Sequence, residues 1–299
     1  MGRVIAIINP AAGRGHGARL RPLVLAELAR RFSGLEVAQT TRPGHATELA
    51  RQAVGADLVI AVGGDGTVRE VVAGLAGTTT QLAIIPTGSG NDFLKTIGIP
   101  ADPFAACRIA AEGRPRPVDA VRIQAAGDGT ERTLVYANAA GFGFDAKVAG
   151  EARRYKRLRG LPLYVAAVFR TVGEYQCPLV RISVNGRTWE QRILLIAAGN
   201  GRFYGGGMRI APDAAADDGL LDICVCDALD RLTIYRYLPR LIKGTHVTLK
   251  EVAMHRAAKL ELDFLEPVMF QLDGDLQPDQ GLRRFTLKVL PAALRVIVP

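Results

Sequence analysis

Two stretches of the chain have residue types and spacing that could do chemistry, Gly63-Gly64-Asp65-Gly66-Thr67 and Pro86-Thr87-Gly88-Ser89-Gly90-Asn91-Asp92. Glycines permit positive φ and leave backbone N–H groups uncovered, so a polyanion can approach the main chain closely. Thr67 and Glu70 have capping-box spacing, and Val68, Val71, Val72 and Leu75 form a stripe at i, i+3, i+4, i+7, which predicts a helix from Thr67. The free N–H groups and positive dipole end of that helix would point into the first glycine turn, as a phosphate requires. The second stretch repeats the arrangement, with a helix that stops near Gly98-Ile99-Pro100. Two such loops from neighbouring strands can face one ligand, and each carries an aspartate.

The elements that position these loops follow from the apolar runs. Asp57–Val62 and Leu82–Ile85 read as buried strands, each handing over to a glycine loop. Arg3–Ile8 reads as another, ending in the glycine-containing turn Asn9-Pro10-Ala11-Ala12-Gly13, which is not a Walker A loop because no Gly-Lys-Ser/Thr follows. Leu35–Thr41 reads as a strand and His45–Val54 as a helix, so strands and helices alternate from Arg3 to Ile99. Alternation of this kind predicts a parallel sheet covered on both faces, with the site at the carboxyl ends of its strands. His16 and His45 lie beside the turns and read as solvated loop histidines.

The segment Glu112–Pro117 reads as a boundary, after which the pattern changes. Val118–Ala125, Thr133–Ala140, Leu179–Val184, Arg192–Ala198, Leu220–Cys226, Thr245–Ala253, Lys259–Phe264, Val268–Leu272 and Arg284–Val289 read as strands joined mostly by turns. Helical interruptions are expected over Ala146–Val172 and Leu232–Leu241. The fold class is therefore α/β in two domains: an N-terminal three-layer α/β domain and a C-terminal, mainly antiparallel β-sandwich. Gly141-Phe142-Gly143-Phe144-Asp145-Ala146 has GxGxxA form without a βαβ context and reads as structural.

At 299 residues the chain is long enough for two well-buried domains, and its net charge of +9 suits an acidic partner without choosing among nucleic acid, membrane and phosphorylated substrate. Aromatic RNA-binding signatures and DNA-binding motifs are absent, which argues against nucleic acid. Cys107, Cys177, Cys224 and Cys226 lack metal spacing, and Cys224 and Cys226 read as core residues of one strand face, which fits a reducing compartment. No apolar run reaches the roughly 18 to 20 residues of a membrane span, so the expectation is a cytoplasmic protein. Arg153, Arg154, Lys156, Arg157 and Arg159 precede the apolar positions Leu161, Leu163, Tyr164, Val165, Val168 and Phe169. This stretch reads equally as an anionic-membrane contact or as a solvated face beside a core helix.

The two glycine loops, ending in Asn91-Asp92-Phe93, resemble the nucleotide site of the diacylglycerol kinase and sphingosine kinase catalytic-domain superfamily, in its soluble bacterial lipid kinase branch. NAD kinases and phosphofructokinases have a similar first turn, and the second loop has the lipid kinase form. Asn9-Pro10-x-x-Gly13 is similar to the turn that opens that domain. Tyr204–Met208, Ile210-Ala211-Pro212 and Asp217–Asp222 match the family's middle signature. Gln271-Leu272-Asp273-Gly274-Asp275 matches its Asp-Gly-Glu motif with Asp275 in place of Glu.

The resemblance implies an NAD kinase-like fold with a catalytic domain over 1–117 plus 290–299 and a lipid-substrate domain over 118–289. It implies ATP and Mg2+ as cofactors, with Asn9, Thr40, Gly64, Asp65, Gly66, Thr67, Glu70, Ser89, Asn91 and Asp92 binding the nucleotide. Asp65, Asp92 and Asp119 would organise Mg2+ at the phosphates, and Asp218 with the carbonyls of Ala215 and Leu220 would hold a structural Mg2+. Asp275 would accept the proton of the lipid hydroxyl, with Asp65 the competing base. The partners implied are a lipid substrate at a membrane surface, met by peripheral contact, and a second copy in a homodimer. The alternatives are a kinase for a soluble acceptor, of NAD kinase type, and a noncatalytic nucleotide- or lipid-binding regulator.

Overall fold

A run of residues that is apolar at every position is satisfied only in a strand covered on both faces. Val4–Ile8 (β1), Leu58–Gly63 (β3) and, after its first residue, Gln81–Pro86 (β4) are such runs, whereas Glu36–Gln39 (β2) is mostly exposed and lies at the edge of the sheet. The computed structural model describes residues 2–12, 16–88, 90–155, 158, 160–277 and 281–299. Ser89 of the second glycine loop, and Lys156, Arg157 and Arg159 of the basic stretch, lie outside the described residues. The chain forms two compact units, Met1–Ala120 with Leu290–Pro299, and Val121–Val289.

In the first unit the strand order is β2, β1, β3, β4 and then the end of the last strand, β15 (Arg284–Val298), all parallel. The final segment thus returns to this sheet, with Arg295 and Val296 opposite Gln81 and Leu82. The helices are α1 (His16–Arg31), α2 (His45–Gln52), α3 (Asp65–Leu75), α4 (Asp92–Ile97) and α5 (Pro103–Glu112). α2 packs on α3, and α1 on α5. Helix α3 begins at Asp65, two residues earlier than the capping-box reading. Its proposed capping partner Glu70 instead reaches α2, where its carboxylate accepts from the Gly44 and Ala46 N–H groups at 2.8 and 3.1 Å. The segment read as a boundary is largely strand, because α5 ends at Glu112 and β5 (Arg114–Gly127) starts at Arg114.

The second unit continues with β6 (Thr130–Tyr136), β7 (Ala139–Gly143), α6 (Phe144–Ala152), α7 (Gly160–Thr171), β8 (Leu179–Val184), β9 (Arg187–Gly199), β10 (Leu221–Asp227), α8 (Arg231–Lys243), β11 (Val252–Ala257), β12 (Lys259–Phe264), β13 (Phe270–Leu272) and β14 (Asp275–Leu276). Thr245–Thr248, read as strand, is a short 3-10 turn. Strand β9 belongs to two sheets: its first half pairs with β8, and its second half pairs with β7 and β10. In the β8–β12 sheet alternate residues are buried, so one face meets solvent; along β10 every residue to Cys226 is buried, because α6, α7 and α8 cover its second face. Between the sheets lies an apolar core in which Phe142 packs against Phe264, Phe270 and Phe285. No helix among the described residues is long and apolar enough to cross a membrane.

Candidate active site

The two glycine loops sit at the carboxyl ends of β3 and β4, where Gly63 and Pro86 are register partners and the Thr87 N–H donates to the Gly63 carbonyl at 2.9 Å. Their main chains touch: a Cβ on Gly88 would lie 2.5 Å from the Gly64 Cα, and one on Gly90 would lie 2.6 Å from Asp65 Oδ2. Any side chain at these glycines would force the loops apart. The tie is Asp65, whose Oδ2 accepts from the Asn91 N–H at 2.8 Å and whose Oδ1 accepts from the Asp92 N–H at 3.0 Å. Asn91 is left-handed at φ 53°, and its side-chain amide donates to the Gly88 carbonyl at 3.2 Å. Asp65 therefore caps α4 while starting α3.

The turn after β1 joins the same group, since Asn9 Nδ2 donates to Thr67 Oγ1 at 3.0 Å. Thr40, buried at the end of β2, donates its N–H to the Ile8 carbonyl at 2.9 Å. Asp92 is buried and pairs with Lys95 Nζ at 2.7 Å. Asp119, also buried, accepts from the Ala292 N–H at 2.7 Å, where β15 takes a left-handed residue. Asn9 is thus tied to Thr67, and Asp65 to the backbone of Asn91 and Asp92, whereas the Glu70 carboxylate is engaged at the start of α2.

These residues fit a nucleotide and a divalent cation. The glycine cradle brings bare backbone to the surface of both loops, and the carboxylates of Asp65 and Asp92 are hard oxygen donors of the kind a divalent cation takes. Kinase chemistry uses ATP with a divalent metal, and this hard-oxygen set suits one.

In the second unit the Asp273-Gly274-Asp275 turn joins β13 to β14. The Asp273 carboxylate accepts from the N–H groups of Ala137, Asn138 and Ala139 at 3.3, 3.1 and 2.8 Å, so it anchors the turn. Asp275 is half-buried opposite Leu272. Sequence reasoning missed the groups behind it. Gln271, 1% exposed, accepts from the Gly274 N–H at 2.7 Å and donates to Asp145 Oδ2 at 2.7 Å. The other oxygen of Asp145 accepts from the Tyr164 hydroxyl at 2.7 Å, with Tyr204 3.4 Å beyond. Burial pushes the Asp145 carboxyl above the usual carboxylate range, against the pull of its Gln271 and tyrosine hydrogen bonds. The signal that could have found this group was the Gly-x-Gly-x-Asp spacing itself.

Tyr164 also lines an apolar cavity of about 60 Å³, with Phe144, Leu195, Cys224, Leu238 and His246 among its walls. Burial pushes the Cys226 thiol on the same wall up to about 12, so it is a neutral part of an apolar surface. Burial lowers the His246 pKa, and its Nε2 lies 3.1 Å from the Ile210 carbonyl, which fixes a neutral ring with Nε2–H donating.

The middle signature behaves differently from the expectation of a structural Mg2+. Asp218 Oδ1 accepts from the Leu220 N–H at 3.0 Å, and Oδ2 is paired with the Arg256 guanidinium, whose Nε lies 3.6 Å from Asp222 Oδ2. The positive charge at this turn is an arginine. Among the described residues no cluster of three His, Cys, Asp or Glu side chains forms, so a divalent ion at this turn would rest on Asp218 with main-chain carbonyls and would compete with Arg256 for the carboxylate.

Residues 3–123 match the diacylglycerol kinase catalytic domain, and residues 138–298 match the YegS C-terminal NAD kinase beta sandwich-like domain. The "Probable lipid kinase YegS-like" of Stenotrophomonas maltophilia (strain K279a) is 33% identical over 274 residues, covering 89% of this chain and 87% of the relative. The "Diacylglycerol kinase" of Mycobacterium tuberculosis (strain ATCC 25618 / H37Rv) is 33% identical over 306 residues, covering 100% and 96%. The crystal structure of a Bacillus anthracis str. Sterne protein classed by inference as a diacylglycerol kinase superposes with a TM-score of 0.80 at 26% identity, covering 99% of this chain and 97% of that one.

Proposed function

Because the chain belongs to the family of YegS-like lipid kinases and diacylglycerol kinases, we propose that it transfers the γ-phosphoryl group of ATP, with Mg2+, to the hydroxyl of a diacylglycerol or long-chain-base type of lipid. The observation that supports a lipid over a soluble acceptor is that one helix serves both an apolar cavity and an acid. α6 starts at Phe144 on the cavity wall and packs against β14, which carries Asp275.

Phosphoryl transfer needs positioning and charge neutralisation more than covalent chemistry. A bound divalent ion supplies the neutralisation at the phosphates. The backbone of the Gly64 and Gly88 loops holds phosphate oxygens, Asp65 keeps the two loops in register, and Asp92 and Asp119 provide oxygen donors. Asp275 takes the proton as the lipid oxygen bonds to the γ-phosphorus and the bond to the leaving ADP oxygen breaks. The cavity takes the end of an acyl chain, with room for a few methylene groups, each favoured by about 0.8 kcal/mol on burial.

Contact with the bilayer is proposed at α8. Its outward positions Arg236, Arg240 and Lys243 are exposed, Leu232 is 80% exposed, and its inner face supplies Ile234, Leu238 and Leu241 to the cavity wall. Each basic residue near an anionic surface contributes on the order of 1 kcal/mol, screened by salt.

The test is to supply ATP labelled at the γ position and Mg2+ with vesicles of a lipid extract, anionic or zwitterionic. Label should appear in the organic phase, more on anionic vesicles, with that excess lost at high salt. Label only in the aqueous phase, with NAD as acceptor, would overturn the lipid reading; equal transfer on both vesicles at all salt would overturn the role of α8.

A further inference from the structure

Behind the turn that carries Asp275 runs an unbroken line of buried polar groups inside the second unit. Tyr164 stands on the cavity wall and donates to Asp145 Oδ1; Gln271 donates to Asp145 Oδ2 and accepts from the Gly274 N–H, and all three distances are 2.7 Å. Gly274, with φ 83°, immediately precedes Asp275. Tyr164 gives its single hydroxyl proton to Asp145, so Tyr204, 3.4 Å away, is the donor to Tyr164. Gly141 stands opposite Gln271 across β7 and β13, and a Cβ there would run into both Asp145 Oδ2 and Gln271 Nε2. The sheet is kept bare at that point so that these two side chains can meet.

A glutamine amide has one face that accepts and one that donates. Gln271 uses both, and its burial leaves no water to replace either partner. Its carbonyl therefore sets the height of the Gly274 amide, and its NH2 group takes its own position from Asp145. α6 adds a second hold: Arg153 donates to the Leu276 carbonyl at 3.1 Å, one residue beyond Asp275.

We propose that Gln271 is a positioning residue for the phosphoryl-accepting step, and that Tyr164–Asp145–Gln271 is a hydrogen-bonded train tying the wall of the apolar cavity to the turn that aims Asp275. This rests on the reading of Asp275 as the base. Filling of the cavity by an acyl chain presses on Tyr164 and Phe144, and the train carries that constraint to Gly274. The turn is then held in its productive place when a lipid tail is present. A misplacement of about 1 Å at a reacting group can cost up to roughly 10²-fold in rate.

The experiment is a kinetic cycle on the full chain, with mixed micelles of dioleoylglycerol or dioctanoylglycerol and Mg-ATP. Gln271→Met keeps the side chain's length and removes both hydrogen bonds. It should lower kcat by roughly 10- to 10²-fold with KM for ATP unchanged, and should cost nothing further in an Asp275→Asn background, because a base that is gone cannot be misaimed. A wild-type kcat in Gln271→Met, or the same fold-loss in both backgrounds, would overturn the proposal, the second being what a merely structural defect gives. If Asp275→Asn alone keeps the wild-type rate, the base reading falls and the train falls with it, a result distinct from the other two. Tyr164→Phe takes the place of Gln271→Met in the cycle should the latter fail to fold. It should also lose more kcat on dioleoylglycerol than on dioctanoylglycerol, and equal losses would detach the cavity from the train.

Discussion

At the scale of single residues, the carboxylates divide by what their oxygens hold. Asp65 and Asp273 accept backbone N–H groups and fix loops, Asp218 is neutralised by Arg256, and Asp145 is buried among phenols and an amide. Asp145 makes a prediction with a definite sign. Its folded pKa is raised by burial, so the native state binds the proton more tightly than the unfolded chain. Its contribution to stability is fully present below the unfolded value of about 3.9 and is lost as pH rises through the raised folded value. Melting curves of the wild type and Asp145→Asn should therefore diverge as pH is raised from about 4, the wild type losing ground to the amide, which does not titrate. Parallel curves across that range would show that Asp145 titrates as an ordinary carboxylate. The glycine loops were legible in sequence because their residue types are rare and adjacent. Gln271 was not, because its partner Asp145 reaches it only through the pairing of β13 with β7 and the docking of α6.

At the scale of elements, short apolar runs placed β1, β3 and β4 correctly, and strict alternation fixed β8 and β12 to the residue. What local pattern could not settle was which partner a polar group would choose. Glu70 has the right spacing to cap its own helix, yet two N–H groups at the start of α2 lie within reach of its carboxylate, and tertiary contact wins. Asp218 is the parallel case. The sequence motif suggests a metal turn, and the pairing of β10 with β11 sets Asp222 opposite Arg256, which swings a guanidinium onto both acids. Chelation of divalent ions should leave the wild-type melting temperature unchanged, whereas Arg256→Met should lower stability by up to about 1 kcal/mol, roughly two to four degrees for a domain of this size. A chelator that lowers the melting temperature, with Arg256→Met melting as the wild type does, would restore the metal to this turn.

At the scale of the whole molecule, the chain assigns its two chemical problems to two units. The first presents bare backbone and tied aspartates at the ends of parallel strands; the second presents an apolar cavity and an acid on a turn. The two-domain fold was legible from the change of periodicity near Glu112–Pro117, although a proline-rich strand occupies most of the segment read as the boundary. The cavity was not legible, since its walls come from α6, α7, α8, β9 and β10 and only the fold gathers them. The most direct measurement of the central claim is a single-turnover comparison of wild type and Asp275→Asn on a lipid acceptor, with ATP binding measured alongside. If Asp275 takes the hydroxyl proton, the amide should slow the chemical step by roughly 10² to 10⁴ while ATP binds nearly as before. Transfer to lipid at the wild-type rate by Asp275→Asn, with chemistry limiting, would contradict it.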